Sequence, residues 1–196
     1  MDKYYITVAR EYGSGGRLIG QKLAEQLGIE CYDREIISLV AKESGLHEDY
    51  IESVSESYTP FFLYNIYGNE SIPFSNQIYT AESNAILTLA EKGSCIFIGR
   101  NASGILKKEE NLINIFIHAP IEYRADFAKS NYNEDVEKTI KEMHRIDKGR
   151  EDYIKRFSGK AWLDIRSYNL SIDSSIGVDA TVEVIKSYVE QRLKEK

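Results

Sequence analysis

Apolar residues along this chain gather into five short runs, separated by stretches in which they recur at helical spacing. The runs at Tyr4–Val8, Ile29–Tyr32, Ser94–Ile98, Leu112–Ile117 and Tyr168–Ile172 predict strands. Ser94–Ile98 and Leu112–Ile117 suit parallel strands covered on both faces. After the first run, Ile19, Leu23 and Leu27 mark one helix face, and Gly20 and Ala24 keep that face thin enough to lie close on a sheet. Further helices are predicted from Ile36, Ile37 and Val40, from Ile51 and Val54 within 47–56, and from Ile78, Ala85, Ile86 and Leu89 within 76–91. Val136, Ile140 and Met143 stripe a helix over 133–150, and Val182, Ile185, Val189 and Leu193 stripe a closing one behind an Asp179 cap. Gly28 and Ser44-Gly45 stand where helices end. Strands alternating with helices make an α/β, doubly wound parallel sheet the expected architecture.

The periodicity fails in two zones, Ser57–Phe74 and Lys148–Arg166, which read as excursions near one edge of the sheet. The first is rich in rings (Tyr58, Phe61, Phe62, Tyr64, Tyr67, Phe74) and broken by Pro60, Gly68 and Pro73. Such a surface suits packing on the body of the protein or on a second copy in a homodimer; a flap stacking on a base is the other reading. With 196 residues, 42% of them hydrophobic, the chain fits one domain spanning 1–196. A net charge of -6 argues against nucleic-acid and anionic-membrane partners. No run is long enough to span a bilayer and no signal segment opens the chain, so a cytoplasmic location is expected. Cys31 and Cys95 lie in apolar runs and read as buried, reduced thiols.

The chemistry concentrates where the first strand ends, in Arg10-Glu11-Tyr12-Gly13-Ser14-Gly15-Gly16-Arg17. Strand, glycine turn and helix together aim backbone N–H groups and a helix N-terminus at an anion. The pattern differs from G-x-x-x-x-G-K-[ST]: a gap-free match puts Gly16 at the lysine and Leu18 at the hydroxyl, and one insertion makes Arg17 the cation. A plain βα turn that binds nothing is the competing reading. Arg100 follows the third strand, at the edge where open α/β sheets bind ligands, and its planar fork suits phosphate. Asp33 follows the second strand, as a helix cap or facing a ligand or a metal's water shell. Lys138, Lys141, Arg145, Lys148 and Arg150 make one helix basic toward its end, either complementing the helix dipole or closing over phosphates as a lid. Asp173-Ser174-Ser175 is a turn or a base contact, and His118 a polar strand end.

Several of these stretches, from 10–17 through Tyr32-Asp33-Arg34-Glu35 and Gly99-Arg100-Asn101 to the Phe-Ile-His-Ala-Pro run at 116–120, resemble the cytidylate kinase-like family. Asp147-Lys148-Gly149-Arg150, Gly159-Lys160-Ala161-Trp162 and the segment 168–175 extend the likeness almost end to end. The resemblance implies a three-layer P-loop kinase-like fold: a five-stranded parallel sheet flanked by helices, an acceptor-binding excursion over 34–92 and a lid region over 124–166. It implies that Gly13, Ser14, Gly15, Gly16 and Arg17 hold donor phosphates, that Asp33, Arg100 and Asn101 face the acceptor, and that Arg124, Arg145, Lys148 and Arg150 belong to the lid. Arg17, Arg145, Lys148 and Arg150 are then the catalytic cations. Asn101 stands where those kinases have a carboxylate.

The expected activity is transfer of a phosphoryl group from ATP, with Mg2+, to a nucleoside monophosphate or a similar small phosphate acceptor. The metal ligands are left open. The alternative is a nucleotide-binding regulatory module that transfers nothing, which the missing lysine and hydroxyl favour. A dinucleotide-dependent oxidoreductase fits poorly, because Gly13-x-Gly15 would need a glycine where Leu18 stands.

Overall fold

The computed structural model describes residues 3–45, 47–49, 51, 71–132 and 136–194. Five parallel strands form one sheet: β1 (Tyr5–Arg10), β2 (Glu30–Tyr32), β3 (Cys95–Ile98), β4 (Leu112–His118) and β5 (Leu170–Asp173), in the order β2-β3-β1-β4-β5. The helices are α1 (Gly16–Leu27), α2 (Arg34–Ser44), α3 (Ser71–Ala90), α4 (Ala102–Ile105), α5 (Ile121–Tyr132), α6 (Val136–Ser158) and α7 (Val178–Lys194). The expected three-layer sandwich is the observed one.

Strand alternation sorts the core. Ile6 and Val8 of β1 point with Ile96, Ile98, Ile115 and Ile117 toward α1 and α7, whereas Tyr5, Cys95 and Phe97 point toward α2, α3 and α4. The thin face of α1 is a packing need: a Cβ at Gly20 would sit 2.3 Å from Ile98 Cδ1. Gly28 and Gly45 end α1 and α2 with left-handed caps, as expected. None of the described helices is long and apolar enough to cross a membrane.

Several boundaries depart from the sequence reading. The helix expected over 133–150 runs from Val136 to Ser158, so most of the supposed irregular zone from Lys148 is helical and only its end, past Gly159, is not. Consequently Lys148 lies mid-helix, and the cations that complement the α6 dipole are Lys155 and Arg156. The reason is a continuing stripe: Ile146 and Tyr153 are buried beyond Met143 and prolong the apolar face. Helix α3 starts at Ser71, earlier than expected, and α7 starts at Val178, which puts Asp179 in the first turn rather than at the cap. Most of the aromatic stretch, Tyr58 to Tyr67 included, lies outside the described residues.

Candidate active site

Strand β1 carries the chain to the carboxyl edge of the sheet, where Glu11 to Gly15 turn it into α1. Gly13 and Gly15 have φ of 78° and 73°, a left-handed backbone that favours glycine. Both are also pressed by protein: a Cβ would fall 2.6 Å from the Arg124 carbonyl oxygen at Gly13 and 3.0 Å from the Phe127 ring at Gly15. Helix α1 opens without a side-chain cap, and the amides of Gly16, Arg17 and Leu18 have no acceptor among the described residues. They border an open cleft of about 200 Å³, lined by Gly13, Gly15, Gly16 and Arg17 on one side and by Asp33, Arg100 and Arg150 on the other. Bare amides at the positive end of a helix, facing open space, form a place for an anion.

Ser14 takes a different position from its neighbours. Its hydroxyl is buried and donates to the Glu11 carbonyl at 2.8 Å, so it stiffens the turn from within and does not line the cleft. Ser174 supports it from below, its hydroxyl lying 2.7 Å from the Ser14 carbonyl oxygen. Ser174 thus supports the loop, and Asp173 caps a short 3-10 turn by accepting from the Ser175 amide, as the turn reading expects.

The cleft residues are held by ion pairs. Arg17 Nε lies 2.7 Å from Asp33 Oδ2; Arg17 is half-exposed and Asp33 largely buried. Asp33 occupies the cap position of α2 yet makes no side-chain cap bond, so capping does not explain it; its carboxylate pairs with Arg17 and borders the cleft. Arg100 is buried, 3.2 Å from a fully buried Glu82 of α3, and Tyr153 of α6 donates its hydroxyl to the other Glu82 oxygen. Burial and the Glu82 charge push the Tyr153 phenol well above its ordinary range, so it remains a donor at any working pH. Asn101 is also buried, in a left-handed conformation with φ 52°, and its amide lies against Gly104 with no hydrogen-bond partner. It borders a smaller chamber beside the cleft, walled by Thr7, Tyr153 and Trp162.

The four expected lid cations separate into two pairs. Arg150 reaches the cleft, donating from Nη1 to the Arg10 carbonyl at 3.1 Å. Arg124 lies buried at its foot, 2.6 Å from Asp147 and 3.5 Å from Glu11. Asp147 in turn accepts from the Tyr12 amide at 2.7 Å, which fastens α6 onto the glycine turn. Arg145 and Lys148, by contrast, face carboxylates of their own helix: Glu142 for the first, Glu151 and Asp152 for the second. Those bonds lower the Glu142 pKa and raise that of Lys148. Neither residue lines the cleft.

Sequence reasoning passed over Arg10, Glu82, Asp147 and Tyr153. Glu82 carried a signal, an acid on the inward stripe of a helix, since such a group stays ionised only beside a partner. The other three become visible only when α6 is laid across the sheet edge.

No group of three metal-ligating side chains occurs among the described residues. Magnesium carried by a nucleotide needs less, one or two carboxylates reached through its waters, and Glu11 and Asp33 border the cleft as such a pair. Those two residues would hold it, and the ion would neutralise charge on the phosphates.

A parallel sheet of order β2-β3-β1-β4-β5, with a glycine turn, a helix N-terminus and guanidinium groups at its carboxyl edge, defines a P-loop kinase-type protein. Within that class the chain belongs to the cytidylate kinase-like family, whose model matches residues 5–176. It is similar to the cytidylate kinase of Methanopyrus kandleri, at 24% identity over 96% of this chain and 94% of that one. Among solved structures, a protein of Eubacterium ventriosum superposes with a TM-score of 0.74 at 26% identity, over 96% of this chain and 99% of the other. Shikimate kinase of Bacteroides thetaiotaomicron shares the fold, with a TM-score of 0.57 at 9% identity over 96% and 99% of the two chains.

Proposed function

We propose that the protein transfers the γ-phosphoryl group of ATP, with Mg2+, to a nucleoside monophosphate of the cytidylate kind or to a similar small phosphate acceptor. The observation that carries this reading is convergence: Gly16 and Arg17, whose amides are bare among the described residues, border one cleft with Arg100 and Arg150. An acceptor phosphate oxygen attacks the γ-phosphorus as the bond from that phosphorus to the β–γ bridging oxygen breaks. The electron pair leaves on the departing diphosphate. Because the acceptor is already an anion, no general base is needed, and catalysis consists of positioning and charge stabilisation. Amides and Arg17 take the donor, while Arg100, held in place by Glu82, takes the acceptor. Arg150 serves the transferring group, and α6, fastened through Asp147, excludes water. Arg145 and Lys148 fit a lid surface better than a catalytic role in this arrangement. The cytoplasm is the compartment where such nucleotides are available.

A regulatory nucleotide-binding module is the second reading, favoured by Leu18 standing exposed where a hydroxyl for magnesium is usual. A panel of nucleoside triphosphates against monophosphates, with and without magnesium, separates the two. Turnover with any pair is the expected result; tight binding without turnover would establish the module, and neither would remove both.

A further inference from the structure

The missing lysine leaves a question of charge, and the geometry around Gly16 answers it; the answer rests on the transferase reading above. A Cβ at Gly16 would sit 2.6 Å from Arg10 Cβ and 3.0 Å from Arg10 Cγ. Real Cβ atoms essentially never approach other heavy atoms closer than 3.0 Å, so a side chain at position 16 and the Arg10 stem exclude one another. At its far end the same arginine lies on Gly99, where a Cβ would fall 1.9 Å from Nη1. Two glycines therefore form a track for one side chain, which runs from the start of α1 to the turn after β3 that carries Arg100. Arg17, the cation suggested by sequence, instead leans outward to Asp33 with its side chain 40% exposed.

We infer that Arg10, which lines the same cleft, is a further catalytic cation beside Arg17 and Arg150, reaching the phosphates from the end of β1 in place of the lysine that other phosphate loops carry on their helix. Its position between donor loop and acceptor turn suits the group in flight. A guanidinium edge offers two parallel N–H donors, which can bridge oxygens on two phosphorus centres where an ammonium offers a point charge. The charge that develops in the transition state spreads over the equatorial oxygens of the transferring group, and a fork fixed beforehand stabilises it without reorganisation. Glycine at positions 16 and 99 is then a requirement of the arginine as much as of the ligand.

The test is calorimetric titration with magnesium and inorganic tripolyphosphate, together with turnover on the best pair from the substrate panel. Arg10→Gln should weaken tripolyphosphate binding and cut turnover roughly 10²–10³-fold while the melting temperature stays close to that of the unsubstituted chain. Gly16→Ala, which keeps the arginine but pushes its stem aside, should lose turnover too. The double variant Arg10→Ala/Gly16→Lys should regain part of what Arg10→Ala loses. Full binding and turnover in Arg10→Gln would overturn the assignment of Arg10 and leave the transferase reading standing. An unsubstituted chain that neither binds tripolyphosphate nor turns over would overturn both. Should Arg10→Gln not fold, the double variant decides: restored binding supports the exchange of cations, and a folded protein without it overturns the exchange.

Discussion

Arg17 and Arg100 both come after a glycine beyond the carboxyl end of a strand, Arg17 inside α1 and Arg100 in the turn after β3, but their environments make them respond differently to substitution. Arg17 is half-exposed, whereas the Asp33 carboxylate it pairs with is largely buried. Arg17→Lys, which keeps a cation beside Asp33, should fold normally and lose donor affinity; an unchanged KM for the triphosphate would remove Arg17 from the donor site. Arg100→Ala takes the guanidinium away from the fully buried Glu82, at a cost of about 3–5 kcal/mol, so loss of activity there would conflate folding with chemistry. Arg100→Lys keeps the charge and discards the fork, and is the cleaner probe. Cys95 is buried, as the sequence implied, and Cys31 only half-buried, and both are free thiols. Burial pushes Cys31 and Cys95 up to about 12, so at pH 8 almost none of either is thiolate. Iodoacetamide at that pH should label the native protein far more slowly than the unfolded chain, whose thiols titrate near about 8.5. Equal rates would contradict the burial.

At the scale of elements, the buried Glu82 links α3, the β3–α4 turn and α6 in one network. Glu82→Ala removes the buried carboxylate that both Arg100 and Tyr153 bind, and should cost about 3–5 kcal/mol in urea denaturation. A change below about 1 kcal/mol, the size of a surface pair, would show that the network does not hold these elements together. The strands and the glycine caps were readable because local pattern decides them: alternation, continuous apolar runs and positive φ are properties of neighbours in sequence. The extent of α6 was misread because its second half is striped by Ile146 and Tyr153, amid many charges, and their burial depends on what the helix packs against. The same limit affected the lid. Arg124, Arg145, Lys148 and Arg150 form one basic list in sequence, and only the rotation of α5 and α6 decides which of them reach the cleft.

For the whole molecule, the consequence of an open, amide-lined cleft is linkage. A triphosphate with magnesium at about a hundred times its dissociation constant should add about 2.7 kcal/mol of stability, which raises the melting temperature of a chain this size by roughly 5–10 °C. No shift with any triphosphate would mean that the cleft does not hold one. The fold and the location of this cleft were legible from the chain alone, since a strand, a glycine turn and a helix in immediate succession bring the bare amides of the helix start to a sheet edge. What the sequence determined by itself was the parallel sheet and the glycine turn at its carboxyl edge. The tertiary structure alone decided the partners: Glu82 against Arg100, Asp147 on the Tyr12 amide, and Arg10 laid along Gly16 and Gly99. These contacts join residues far apart in the chain, and spacing along a polymer carries no record of which distant side chains share one volume of space.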